Sequence, residues 1–197
     1  MKFDPSAFQP AGKTSQGQAL LLVHPTSPIV IHELRYRPME LEDIPCIHEI
    51  DILSFSLPWP EKSFRFELTE NPSTLALLVE IVPKDSTPIV IGMSIVWIID
   101  DEAHIATIAI HPGYRGNGYG KSLLAETLRQ SIQRGAHLAT LEVRESNLIA
   151  QQMYHAFGFA VDGKRPHYYL DNNEDAIIMT VNQLGSQYLA GLDKVLT

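Results

Sequence analysis

A mixed α/β fold, with one sheet and helices on both faces, is the class this sequence predicts, and three observations predict it. Two apolar runs, residues 74–82 and 89–99, are almost continuously hydrophobic and long enough for strands covered on both sides. Leu124, Leu128 and Ile132 recur every four residues, the spacing of one helical face. The element order runs strands first, then strand–helix–strand–helix–strands, with no internal repeat and no second core.

Each element has a local cause. Residues 34–39 (LRYRPM) alternate like a first strand, and Pro38 suits its end better than its middle. Ile44, Ile47 and Ile50 stand three apart in a helix over 40–54, whose first turn holds Glu40, Glu42 and Asp43 where the helix dipole favours them. Residues 55–60 form a proline-bounded loop, and Pro60 opens a short helix to Leu68. After the strands at 74–82 and 89–99, Asp100-Asp101-Glu102 is a turn signal and 104–110 completes a meander. A glycine-rich loop leads to a helix over 121–134 that ends at Gly135. Residues 138–143 make a strand, and Ser146 can cap a helix striped by Ala150, Met153, Tyr154 and Phe157 and ended by Gly158. Residues 168–170 and 176–181 are the closing strands.

Composition narrows the function. In 197 residues, 15 Lys and Arg face 23 Asp and Glu, a net charge of −8 that argues against a nucleic-acid binder with a broad basic face. One cysteine, Cys46, excludes an intramolecular disulfide framework and a Cys-based zinc site; its place among apolar helix positions reads as a buried structural thiol. Eight scattered histidines show no zinc-ligand spacing, so no catalytic metal is expected. No stretch approaches the roughly 20 apolar residues of a membrane helix, and the apolar run 19–23 is too short for a signal-peptide core. A cytoplasmic domain over 32–183 is expected, with a loosely ordered extension over 1–31 and a short tail over 184–197.

The chemistry begins at Arg115-Gly116-Asn117-Gly118-Tyr119-Gly120-Lys121, between a strand and an amphipathic helix. Glycines admit positive φ and let backbone N–H groups approach a bound group, while a helix N-terminus adds unpaired donors and partial positive charge. The pattern suits a phosphate or pyrophosphate; its plain alternative is a tight strand-to-helix turn. A Walker loop fails because Arg115 stands where its first glycine is needed, and a dinucleotide fingerprint fails at Lys121.

The loop resembles the acyl-CoA pyrophosphate loop of the GCN5-related N-acetyltransferases (the GNAT superfamily), Arg/Gln-x-x-Gly-x-Gly/Ala, with Arg115, Gly118 and Gly120 in register. Ile108-Ala109-Ile110 resembles the strand that lines the pantetheine arm, and Asn147, Ala150, Tyr154, Gly158 and Phe159 match the downstream family signature. Within the superfamily the chain is similar to the bacterial ribosomal-protein alanine N-acetyltransferase (RimI-like) subfamily. The segments that carry this likeness are Leu57-Pro58-Trp59-Pro60, Leu141-Glu142-Val143-Arg144, Arg165-Pro166-His167-Tyr168-Tyr169 and Glu174-Asp175-Ala176-Ile177-Ile178-Met179. His167 departs from it, standing where Asn is frequent.

The resemblance implies a mostly antiparallel central sheet whose one parallel strand pair splays at 108–110 and 141–143 to admit the thioester arm of acetyl-CoA. It implies cofactor contacts from Ile108, Ala109, Ile110, Arg115, Gly116, Asn117, Gly118, Tyr119, Gly120, Lys121 and Asn147. Asn147 can equally cap its helix. The acceptor implied is a protein N-terminus, that of a basic ribosomal protein, which an acidic surface would steer in. A protein α-amine has an ordinary pKa of 7.7–8.0 against 10.4 for lysine, so freeing it at neutral pH costs only about 1.4 kcal/mol. Glu142 is the implied base, its competing role being an exposed strand carboxylate or a partner for Arg144. Tyr154 is the implied acid, its competing role an aromatic core residue. Trp59, Tyr168 and Tyr169 are the implied walls of a peptide slot. Related enzymes acting on lysine side chains or small amines, and a non-catalytic acyl-CoA-binding module, are the rival expectations.

Overall fold

The computed structural model describes residues 31–84 and 87–196. The extension expected over 1–31 therefore lies, but for its last residue, outside the described residues. Seven strands form one sheet: β1 (Ile31–Pro38), β2 (Thr74–Pro83), β3 (Ile89–Ile99), β4 (Glu102–Ile110), β5 (Leu138–Arg144), β6 (Ala160–Tyr169) and β7 (Glu174–Val181). Their order is β1-β2-β3-β4-β5-β7-β6. Every neighbouring pair is antiparallel except β4 and β5.

That parallel pair is short. Its ladder runs from Glu102↔Leu138 to Ile105↔Leu141 and stops, while β4 continues along β3 to Ile110 and β5 continues along β7 to Arg144. The parting coincides with a register shift in the β3–β4 ladder, where Val96 faces Ile105 but Ile95 faces Thr107, leaving Ala106 as the extra residue. A bulge bends its strand and ends regular pairing. At the far end Gly92 faces Ile110; a Cβ on Gly92 would overlap Ile110 Cδ1 and lie 2.8 Å from the Ala109 carbonyl oxygen.

Helices cover both faces. On one side, α1 (Ile44–Ser54) and α2 (Glu61–Thr69) pack Ile44, Ile47, Ile50 and Phe64 against Leu78, Met93, Ile95 and Ala109. On the other, α3 (Tyr119–Gln133), α4 (Leu148–Ala156) and α5 (Ser186–Leu196) bury Leu124, Leu128, Tyr154, Phe157 and Leu192 with Leu141, Val143 and Met179.

The structure corrects several local expectations. The first helix is a 3-10 turn, Leu41–Asp43, followed by α1. Asn147, not Ser146, caps α4, its Oδ1 accepting from the Ala150 N–H at 3.2 Å. β6 starts at Ala160, well before 168, because this edge strand is largely exposed and carries no apolar alternation to betray it. The expected tail over 184–197 contains α5, and Leu184 before it and Leu192 within it are buried in the core. Cys46 is half-buried, and burial, aided by Glu49 and Asp43, raises its thiol pKa, as suits an unreactive side chain.

Candidate active site

The glycine loop opens α3. Gly116 and Gly118 both have φ of +81°, and Gly118 is the N-cap residue, with no side chain to bond the first turn. Helix geometry leaves the N–H groups of that turn without intrahelical partners. A Cβ on Gly116 or Gly118 would meet nothing within 4 Å, whereas one on Gly120 would touch Met153 Sδ at 3.7 Å and Ile110 Cγ1 at 3.8 Å. The loop is thus a cradle open above and floored by α4 and β4. Arg115 braces it, donating from Nε to the Ile110 carbonyl and from Nη2 to Ser54 Oγ, both at 2.8 Å. Asn117 Nδ2 is spent on the carbonyls of Tyr114 and Arg115. Lys121 is exposed, Tyr119 packs at the edge of an apolar cluster, and Ile108, Ala109 and Ile110 run along the freed edge of β4.

Glu142 stands on β5 one residue beyond the last β4–β5 pair. It is neither exposed nor joined to Arg144. Its side chain is only 8% accessible, with His104 Nε2 3.2 Å from Oε2 and Arg165 Nη2 2.9 Å from Oε1. Burial raises the carboxyl pKa, but the hydrogen bond and charge of His104 and the charge of Arg165 outweigh it and hold the group below its ordinary range. His104 leads further: its Nδ1 lies 3.1 Å from Thr140 Oγ1, which donates to Glu102 Oε1 at 2.5 Å. Its ring stacks on Trp97 at 5.4 Å, and Trp97 stacks on Trp59 at 6.4 Å. Glu67 anchors this column by accepting from Trp97 Nε1 at 3.0 Å.

Cross-strand partners share a sheet face, and alternate residues along a strand return to it. His104 pairs with both Trp97 and Thr140, and Glu142 is two residues past Thr140, so all four face α1 and α2. Thr107 pairs with Ile95 on that same face; it is 8% accessible and its Oγ1 has no hydrogen-bond partner among the described residues. Tyr154 packs from the opposite side, among Leu141, Val143, Phe157 and Phe159. Burial pushes its phenol up to about 12.

The expected slot residues gather on the Glu142 face. Trp59 caps the aromatic column, and its backbone N–H donates to Asp51 Oδ2 at 2.6 Å. Burial pushes the Asp51 carboxyl up to about 6, against that hydrogen bond, and its Oδ1 has no partner among the described residues. Tyr168 lies under Arg165 at 5.6 Å, and Tyr169 under Arg144 at 3.9 Å. Burial first, then Tyr168, Glu142 and Tyr154, raise the Tyr169 pKa against the opposing charge of Arg144, so this phenol senses both Glu142 and Tyr154. Arg144 also grips Asp171 Oδ1 and Ser56 Oγ at 2.9 Å each, clamping the 55–60 loop to the β6–β7 turn.

The site thus joins an uncapped glycine cradle to a parted parallel pair with buried groups on both sides of the parting. The acetyltransferase (GNAT) family profile matches residues 44–159. The chain belongs to that family. Ribosomal protein bS18-alanine N-acetyltransferase of Escherichia coli (strain K12) is 31% identical over 154 residues, covering 73% of this chain and 93% of that protein. A Bacillus subtilis (strain 168) protein that carries the same name provisionally is 42% identical over 149 residues, covering 75% of this chain and 95% of its own. The crystal structure of the E. coli ribosomal-protein-S18-alanine N-acetyltransferase superposes with a TM-score of 0.68 at 29% identity, over 78% of this chain and 96% of that one.

Acetyl-CoA is the co-substrate of the family, and the residues present fit it. The open N-terminus of α3 suits the pyrophosphate, and the unpaired β5-facing edge of β4 past Ile105 suits an amide-bearing arm. Asn147 Oδ1 is committed to its cap, which leaves only its Nδ2 as a donor. Family spacing pointed to Glu142 and Tyr154 but missed His104, Arg165, Arg144 and Thr107. The available signal was His104 and Thr107 among the otherwise apolar residues of 103–110. Among the described residues no group of three or more His, Cys, Asp or Glu gathers to hold a metal ion, and no helix is long and apolar enough to cross a membrane.

Proposed function

We propose that this enzyme transfers the acetyl group of acetyl-CoA directly to the α-amine of a protein N-terminal residue such as alanine, that of a ribosomal protein in the bacterial cytoplasm. The observation that carries the reading is the position of Glu142, a buried carboxylate at the mouth of the β4–β5 parting, beside a strip walled by Trp59, Trp97 and Tyr168. Support comes from relatives of that named activity matched over nearly their whole length.

When bound, acetyl-CoA supplies the acetyl group as a thioester. Backbone N–H groups at the start of α3 hold its diphosphate, and the β4 edge from Ala106 to Ile110 offers donors and acceptors to its arm and carbonyl. Glu142, on the opposite face, receives the substrate ammonium and draws off its proton. Tyr154, whose burial keeps its phenol protonated far above neutral pH, holds a proton at its hydroxyl for the departing thiolate. Trp59, Tyr168 and Tyr169 flank a flexible N-terminal segment rather than a folded surface.

A panel of N-terminal peptides from ribosomal proteins, compared with free polyamines and internal-lysine peptides, tests the reading. The expected result is the highest kcat/KM for an alanine-initiated ribosomal peptide; a higher value for a polyamine or a lysine peptide would overturn it.

A further inference from the structure

The hydrogen-bond polarity around His104 carries a consequence for the base. An ionised Glu102 carboxylate can only accept, so the single Thr140 hydroxyl proton points to it. Thr140 Oγ1 then presents only lone pairs to His104, and the proton on Nδ1 fills that contact. The opposite ring nitrogen, Nε2, faces Glu142 Oε2 at 3.2 Å, a contact that is a hydrogen bond only when a proton lies between them. With the ring proton on Nδ1, Nε2 keeps its lone pair toward the carboxylate, a seat for a proton that arrives on Glu142.

We propose that His104 is a positioning residue for the base: it accepts, through Glu142, the proton released by the substrate α-ammonium. This rests on the N-terminal acetyltransferase reading above. One N–H bond of the ammonium breaks, and its electron pair stays on nitrogen as the attacking lone pair. The proton passes to Glu142 Oε2 and from there onto the vacant Nε2 of the neutral, Nδ1-protonated imidazole. The carboxylate ends ionised as it began, and the imidazole ends as imidazolium. From Nδ1 the charge leaves by a second shift, His104 to Thr140 and Thr140 to Glu102, whose half-buried carboxyl at the start of β4 hands the proton to water.

The surroundings favour this division of labour. A carboxylate with the Arg165 guanidinium at 2.9 Å is a poor final acceptor for an α-ammonium proton, and the Nε2 lone pair of His104, 3.2 Å from Oε2, offers that proton a further seat. Among the described residues, the charged and titratable groups around His104 are Glu142 and Arg165 at Nε2, Glu102 behind Thr140, Glu67 behind Trp97, and Tyr168, which lies in the field of Glu142 and Arg165. Trp97 fixes the ring plane by stacking at 12°.

The test is the pH profile of peptide acetylation by the full chain, wild type against His104→Gln and His104→Ala, with acetyl-CoA binding checked for each. His104→Gln is expected to lose about tenfold to a hundredfold in kcat at pH 7, a size ordinary for a lost proton acceptor, with peptide KM little changed. Its rate should climb toward wild type above pH 9, as the amine frees its own proton. Added imidazole should rescue His104→Ala in proportion to its unprotonated fraction; if that variant does not bind acetyl-CoA, the Gln variant decides. An active wild type whose pH profile His104→Gln leaves unchanged would overturn the role of His104 alone. A wild type inactive on every N-terminal peptide would overturn the functional reading beneath it, and this proposal with it.

Discussion

Glu142 and Tyr154 lie on opposite faces of one sheet, and the parting of β4 from β5 beyond Ile105 and Leu141 opens one face to the other. A continuous sheet would keep a carboxylate on the α1–α2 side from a phenol packed on the α3–α4 side. The bulge at Ala106 turns β4 away just past the last paired residue, so the two groups can serve one reaction.

Glu142→Gln keeps an acceptor for Arg165 but removes the negative charge. Turnover on an N-terminal peptide should fall about a hundredfold at pH 6.5, within the usual range for lost acid–base catalysis. The deficit should shrink toward pH 9, because the substrate amine then supplies its own neutral form. Steady-state rates across that range measure it. Because the Glu142 pKa is lowered, the carboxylate persists into mild acid, so any rate limb near neutrality belongs to a group other than Glu142.

Tyr154→Phe removes a hydroxyl and leaves the ring contact with Phe159 intact. Turnover should drop about tenfold or more, while the calorimetric Kd for CoA changes less than about twofold. With the phenol pushed up to about 12, the wild type should show no alkaline loss from this group below pH 10.

Asp51→Asn should stabilise the fold at neutral pH. The folded-state pKa is raised, to about 6 from 3.8, so the protonated carboxyl's contribution is fully present below about pH 4 and lost as pH rises through 6. The variant should exceed wild type by about 2–3 kcal/mol at pH 7.5 and match it near pH 4, read by urea denaturation. A loss at pH 7.5 that vanishes near pH 4 would instead show that the Trp59 contact needs the ionised carboxylate itself.

Gly118→Ala has room for its methyl group but must hold φ at +81°. The strain should cost about 1–2 kcal/mol in folding. Acetyl-CoA should bind about tenfold more weakly, because a relaxed loop turns the first N–H groups of α3 away. Thermal melts and calorimetry separate the two effects.

The glycine cradle was legible in the sequence because everything that makes it, Gly116, Gly118 and the apolar period of α3, is local. The mixed sheet followed from element order, and its parallel pair from the family resemblance. The proton network was not legible, because His104, Thr140, Glu142 and Arg165 meet only through the registers of β4 with β5 and of β6 and β7 with β5, and single-strand patterns carry no register. Of β6 only the end at 168–169 is legible, because Gly163, Pro166 and its charged residues mask the rest of an exposed edge strand. In α5, Tyr188, Leu192 and Val195 do stand at helical spacing, but the stretch is short and interrupted by Gly191.

Acetylation of an N-terminal α-amine is read on one peptide that begins with alanine and contains an internal lysine. After reaction with acetyl-CoA, fragment-ion mass spectrometry locates the added acetyl group. The expected result is a single acetyl on the alanine nitrogen and an unmodified lysine. Acetylation at the lysine Nζ, with the N-terminus left free, would contradict it.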